Sequence, residues 1–220
     1  NRSVPKSPQE DPMRLRTLAS FACLLYGCIV STVLRAKPNV VIFFTDDQGT
    51  LDAGCYGAPH LKTPHIDQLA ETGVRFTQAY AHTVCCPSRA MMMTGRHPQR
   101  GGVNHWTQGN MNTPKGRNMA LEELTMAEVL KREGYRTALF GKWHLGAHRD
   151  HGPKKQGFDE FFGIRNGFID NFNHHFLHQT GYHDLYEGTT PVKADGKFFP
   201  ELMTHRALRF IEESKDKPFF

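Results

Sequence analysis

Hydrophobic and polar positions change their spacing along this chain, and the changes predict strands alternating with helices. Asn39-Val40-Val41-Ile42-Phe43-Phe44-Thr45 is a continuous β-branched and aromatic run, the pattern of a strand buried on both faces in a parallel sheet covered by helices. Asp46 and Asp47 stand at its C-terminal end. Thr63 reads as an N-cap with Pro64 at the first helical position, Ile66, Leu69 and Ala70 on one face, and Gly73 as the stop. Residues 74–80 read as a second strand leading into a cysteine segment.

After a Gly- and Asn-rich stretch, Thr125 and Glu128 make a capping box for a helix carrying Met126, Val129 and Leu130, which Gly134 ends. Residues 135–140 form the next predicted strand, delivering Gly141-Lys142-Trp143-His144 at its end. Residues 145–200 lack a clean period and read as loops with short elements. A helix is expected over 202–213, with Leu202, Leu208 and Ile211 on its apolar face. Lys217-Pro218-Phe219-Phe220 then reads as the entrance to another strand, so the domain is expected to continue. The fold class is α/β, a mostly parallel or mixed sheet covered by helices. In open α/β sheets ligands gather outside the carboxyl ends of the strands, so Asp46, Asp47, Lys142 and His144 are expected to share one crevice.

Composition narrows the class. With 220 residues, 39% hydrophobic and 22% charged, and with 20 Gly and 13 Pro, the chain matches neither collagen, low-complexity disorder nor a polytopic membrane protein. No segment recurs at the period of about 20 to 50 residues that marks a solenoid. The net charge is +5, but Arg2, Lys6, Arg14, Arg16 and Arg35 against Glu10 and Asp11 place +3 of it before residue 37. The remainder implies no nucleic-acid partner.

That basic start belongs to a leader. Met13-Arg14-Leu15-Arg16 precedes an uncharged, largely apolar run over 17–34, and Ala36 suits signal cleavage. Residues 1–36 therefore read as an upstream extension followed by a secretory signal peptide, with residues 1–12 ahead of the initiator. An anchoring span is the alternative, and Tyr26 weakens a lipoprotein reading of Leu25-Tyr26-Gly27-Cys28. The expected location is exported, periplasmic or extracellular. Of five cysteines, Cys55, Cys85 and Cys86 lie beyond the leader, an odd count for an oxidising compartment.

Cys85-Cys86-Pro87-Ser88-Arg89 followed by Thr94-Gly95-Arg96 resembles the formylglycine-dependent sulfatases of the alkaline phosphatase superfamily, whose signature is C-x-P-S-R with a T-G-R shortly after. Two further blocks agree in order: 39–47 resembles the family's first strand with its metal-binding aspartates, and Gly141-Lys142-Trp143-His144-Leu145-Gly146 its G-K-W-H-L-G block. Residues 37–220 would then be the N-terminal part of a sulfatase catalytic domain. The resemblance implies that a maturation enzyme oxidises Cys85 to formylglycine, whose hydrate attacks sulfur and later expels sulfate. It also implies that Asp46, Asp47 and the residue derived from Cys85 hold Ca²⁺ or Mg²⁺, for which carboxylates are suitable hard ligands. Arg89, on a helix expected to start near Ser88, would hold the diol and the metal-bound carboxylates. Lys142 would neutralise sulfate, and His144 would take the proton from the sulfated diol. The substrate would be a sulfated carbohydrate or a small sulfate ester.

Each residue also has a plainer reading. Adjacent aspartates after a strand are often a solvated turn, a lone lysine is usually on the surface, and Met91-Met92-Met93 reads as core. His174-His175 and His178 read as solvated or hydrogen-bonded loop histidines rather than ligands. Conversion of Cys85 leaves Cys55 and Cys86 as a candidate disulfide. Many relatives carry a sulfate-contacting serine after a G-F-x-x-F-x-G block; here Arg165-Asn166-Gly167 follows instead, with Asn166 as the candidate substitute. Rival functions are a phosphodiesterase or phosphonate monoester hydrolase of the same superfamily, a noncatalytic sulfated-glycan binder, and a redox-thiol protein, the last disfavoured because Cys85-Cys86 lacks a CxxC spacer.

Overall fold

The computed structural model describes residues 36–106, 111–177 and 181–220. The leader and His178 lie outside the described residues, and no helix among those described is long and apolar enough to cross a membrane. Residues 38–220 make one compact unit.

Four α-helices are formed among the described residues: α1 Pro64–Thr72, α2 Cys85–Thr94, α3 Met126–Arg132 and α4 Phe199–Glu213. The capping box of α3 is complete, since the Glu128 N–H donates to the Thr125 hydroxyl at 3.1 Å and the Glu128 carboxylate accepts the Thr125 N–H at 2.8 Å. The Thr125 hydroxyl also donates to the Gln156 carbonyl at 2.9 Å, which ties the helix start to the loop beneath it. In α1 the Thr63 hydroxyl does not cap its helix. It donates to the Asp67 carboxylate and accepts from the Gly54 N–H.

The sheet runs β1 Ala138–Lys142, β2 Glu160–Ile164, β3 Tyr186–Glu187 and β4 Thr190–Pro191, in that spatial order. β1 and β2 are parallel with Ala138 opposite Glu160 and Lys142 opposite Ile164, while the two short strands add antiparallel. Gly163 permits the closest approach: a Cβ there would overlap the backbone of Gly141. Two clusters form the core. Cys86, Met93, Trp143, Leu145 and Phe158 fill one side, and Phe162, Ile164, Leu185 and Phe199 the other. Met93 confirms the core reading of the methionine stripe.

Several predicted elements differ. Residues 39–45 form no regular strand, and Phe43 is 87% exposed. The Val40 N–H donates to the Phe219 carbonyl, yet a strand buried on both faces needs covering layers and a full ladder, which the described residues do not supply. Residues 74–80 are irregular and largely exposed for the same reason. The strand expected over 135–140 is shifted to Ala138–Lys142, because Arg136 instead bridges Phe219. That isolated bridge sets Pro218 to Phe220 alongside Arg136 and Ala138 in parallel, although the described residues form no strand there. Helix α4 begins three residues before the expected start, and Phe199 and Phe210 are buried while Leu208 is exposed. Cys55 carries a free thiol, so it is not paired with Cys86, which lies in the core.

Replacing Thr125 with Ala should destabilise the fold by about 1 to 2 kcal/mol, the usual worth of an N-cap, whereas Thr125→Ser should recover most of it. Urea unfolding midpoints check this, and an unchanged midpoint for the Ala variant would contradict the assigned capping role.

Candidate active site

Helix α2 starts at Cys85, not near Ser88. Val84 before it is extended (φ −144°, ψ 173°), and Pro87 is accommodated in the first turn, where N–H groups lack helical acceptors anyway. Cys86 turns into the core, leaving Cys85 half-buried beside the cavity. The Ser88 hydroxyl donates to the His82 carbonyl at 2.9 Å and accepts the His82 N–H at 3.0 Å, holding the incoming loop on the helix. Gly95 closes α2 in the left-handed region (φ 65°), and Arg96 anchors that end on the Glu123 carboxylate at 2.6 Å.

Lys142 ends β1. Trp143 and Leu145 are buried in the core, and the Trp143 indole N–H donates to the His151 carbonyl at 2.9 Å. The intervening side chains of Lys142 and His144 line the cavity. Pairing with the β2 side continues past the strand through Trp143 N–H to Ile164 O at 2.9 Å and His144 N–H to Arg165 O at 3.1 Å. His144 adopts φ 57°, a conformation that costs a non-glycine residue on the order of 1 to 3 kcal/mol and that surrounding contacts must hold.

One carboxylate oxygen joins the elements. Asp46 Oδ2 lies 2.7 Å from Lys142 Nζ and 3.1 Å from Arg89 Nη2, while Arg89 Nη1 donates to the Lys142 carbonyl at 2.7 Å. The Arg89 guanidinium also lies 5.2 Å from the centre of the Phe44 ring. Burial opposes ionisation of Asp46, but the hydrogen bond and charge of Lys142, together with Arg89, outweigh it and hold the carboxyl below its usual range. Burial pushes the Arg89 pKa down, opposed by Asp46. His144 is pushed down to about 3, first by burial and then by the charges of Lys142 and Arg89. Its imidazole is therefore neutral at physiological pH.

Asp46, Asp47, Cys85, Arg89, Lys142 and His144 all line one cavity of about 960 Å³. Asp46 and Asp47 follow the segment 39–45, and Asp47, exposed at φ 54°, turns the backbone there. Two carboxylates beside the Cys85 position are a donor set of hard oxygens, and the lowered pKa of Asp46 keeps its carboxylate charged. These residues fit Ca²⁺ or Mg²⁺ rather than a soft metal.

Two residues escaped the sequence reading. Asp184 is fully buried, and its carboxylate accepts the Arg165 N–H at 3.1 Å and the Asn166 N–H at 2.9 Å, fixing the turn after β2. Gly167 lies against the His144 ring: an added Cβ would sit 2.7 Å from its Cε1. An aspartate in a loop and a glycine in a turn carry no local signal of either role. Asn166 is buried, and its amide donates to the Met111 sulfur at 3.4 Å. Gly167, rather than Asn166, lines the cavity.

Comparison with known proteins shows the family. The family model described as Sulfatase matches residues 38–220. Human arylsulfatase D is 40% identical over 179 residues, covering 74% of this chain and 28% of that protein. Human steryl-sulfatase is 43% identical over 153 residues, covering 66% and 26%. Among solved structures, Ps i-CgsB in complex with k-i-k-neocarrahexaose superposes with a TM-score of 0.74 at 29% identity, over 84% of this chain and 44% of that one. The chain thus spans about a quarter of the length of these two human relatives.

His144 is expected to remain neutral when pH falls from about 7 to 5, as followed by NMR of the imidazole. Its folded pKa lies below the unfolded value of about 6.5. The stability it contributes is therefore fully present above that value and is lost as pH falls towards about 3. His144→Asn should accordingly flatten the acid side of the stability profile. An imidazole titrating near 6.5 would contradict the buried, neutral assignment.

Proposed function

We propose, from the premise that this chain belongs to the sulfatase family, that the protein hydrolyses sulfate monoesters and releases inorganic sulfate. The observation that carries the reading is the convergence of Asp46, Asp47, Cys85, Arg89, Lys142 and His144 on one cavity. The fold is alkaline-phosphatase-like α/β, and residues 37–220 are the N-terminal part of its catalytic domain.

Cys85 is the position for formylglycine, made by a maturation enzyme, and the hydrated aldehyde with a divalent cation would supply the attacking oxygen and Lewis-acid polarisation of sulfate. The chain's own residues do the rest. Asp46 and Asp47 present carboxylate oxygens to the cation. Arg89 holds Asp46 in place and puts positive charge behind the residue at position 85, one helical turn away. Lys142 directs its ammonium towards the anionic ester, and because it shares Asp46 with Arg89 it is fixed before substrate arrives, which limits reorganisation during reaction. His144, neutral and held by Gly167, accepts the proton whose loss lets the aldehyde re-form and sulfate leave.

A solved relative bound to a neocarrahexaose supports an oligosaccharide ester as substrate, and the steryl- and arylsulfatase relatives support smaller sulfate esters. The apolar run in the leader supports export, with the family reaction taking place outside the cytoplasm.

When the full-length protein is made together with a maturation enzyme, peptide mass spectrometry should find the aldehyde at position 85 and an unmodified thiol at Cys86. An active preparation with unmodified Cys85 would overturn the nucleophile. Aryl sulfate should be turned over in preference to an aryl phosphodiester; the opposite preference would favour the phosphodiesterase reading, and inactivity on both despite complete maturation would favour the glycan-binding one.

Two substitutions separate holding from proton transfer. Asp47→Ala should lose bound metal and activity together, and retention of both would return Asp47 to a solvated turn. Gly167→Ala should lower turnover on the order of 100-fold by displacing His144, as expected for a misplaced reacting group, with the aldehyde yield unchanged. Unaltered turnover would show that the contact does not position the imidazole.

A further inference from the structure

One of the loop histidines named in the sequence, His174, belongs to a second cluster. One ring nitrogen each from His174 and His183 and one carboxylate oxygen of Asp195 all lie within 4.8 Å of one another. His174 is completely buried, His183 half-buried and Asp195 exposed. These residues come from three stretches joined by backbone contacts. His175 bridges His183, the Gly196 N–H donates to the Phe172 carbonyl at 2.8 Å, and the Phe199 N–H donates to the Asn171 carbonyl at 2.9 Å.

An exposed aspartate beside histidines would mean little alone. The decisive observation is hydrogen bonding around the rings. His174 Nε2 lies 3.1 Å from the Lys197 carbonyl. A carbonyl only accepts, so Nε2 carries the proton and the neutral ring presents a lone pair at Nδ1. That Nδ1 is buried without a hydrogen-bond partner, and so is Nε2 of His183. A buried polar atom left unmatched costs about 1 to 3 kcal/mol. A ring N–H donated to a backbone carbonyl, with the other nitrogen left bare, is how metal-ligating histidines are usually oriented.

We propose that His174, His183 and Asp195 bind a divalent transition-metal ion, Zn²⁺ foremost. Two imidazole nitrogens and one carboxylate suit zinc and disfavour Ca²⁺, which takes six to eight oxygens. Zinc–ligand bonds of about 2.1 Å place tetrahedral ligands about 3.4 Å apart, so the cluster contracts modestly around the ion, chiefly through the exposed Asp195. The fourth position is left to water. Burial lowers the pKa of both histidines, which keeps them in the ligating neutral form. The ion would clip together the segment from Ile169 to Phe199. Ile169, Phe176 and Phe199 of that segment line the cavity of the candidate active site, so the metal would brace its wall without taking part in the chemistry.

The test uses full-length protein stripped with a chelator and then saturated with Ca²⁺, so that the hard-oxygen site is filled before Zn²⁺ is titrated calorimetrically. One equivalent of Zn²⁺ is expected, with affinity at least about 10-fold weaker in His183→Gln and in Asp195→Asn. Both replace side chains that are not fully buried, and circular dichroism verifies their folding. Co²⁺ in place of Zn²⁺ should give the intense visible absorption of a four-coordinate site in the wild type and lose it in both variants. Absence of zinc uptake over Ca²⁺, or unchanged affinity in both folded variants, would overturn the site. None of these readouts depends on catalytic turnover.

Discussion

The arrangement depends on a single carboxylate oxygen shared by two cations. Asp46 Oδ2 receives Lys142 and Arg89 together, and these three residues come from the bend after segment 39–45, helix α2 and strand β1. Burying a guanidinium is expensive unless it is paired and hydrogen-bonded. Arg89 meets both conditions, through Asp46 and through the Lys142 carbonyl. Such a triad contributes less to net stability than to specificity, because withdrawing any partner leaves a half-buried charge uncompensated. It also brings the residue at position 85, one turn before Arg89, to the same cavity as Lys142 and His144.

Behind the triad lies a shell that contributes shape rather than charge. Gly163 lets β2 approach Gly141 closely, so the ends of β1 and β2 run together as far as His144 and Arg165. Buried Asp184 fixes the backbone of Arg165 and Asn166, and the next residue, Gly167, presses on the imidazole. His144 is thereby held in a strained backbone conformation while its ring is kept neutral by burial and by its cationic neighbours. Strain, burial and charge at this residue all come from packing set several residues away.

The sequence was most legible where the physics is local. The α3 capping box, the glycine after α1, and Lys142 and His144 at a strand end depend on residues within a turn or two. The cysteine motif, the 39–47 block and the G-K-W-H-L-G block were legible through resemblance, and the six residues they designate do share a cavity. Reading failed where partners are distant. A strand over 39–45 requires neighbours on both flanks, and the helix start at Cys85 could not be separated from Ser88 because Pro87 is acceptable anywhere in a first turn. Gly167 and Asp184 act through contacts that only folding creates. His174 and His175 are hydrogen-bonded to backbone carbonyls, as their sequence reading expected, but the approach of His174 to His183 and Asp195 is another contact that only folding creates.

The central claim is that Arg89, by bridging the Asp46 carboxylate and the Lys142 carbonyl, organises the site rather than merely charging it. Its most direct test is kcat/KM for an aryl sulfate in matured full-length protein carrying Arg89→Lys, which keeps the charge but not the planar fork that spans both acceptors. The account predicts a fall of about 10- to 100-fold, as for loss of a supporting hydrogen-bond partner, with position 85 still converted to the aldehyde. Wild-type kcat/KM in that variant would contradict it.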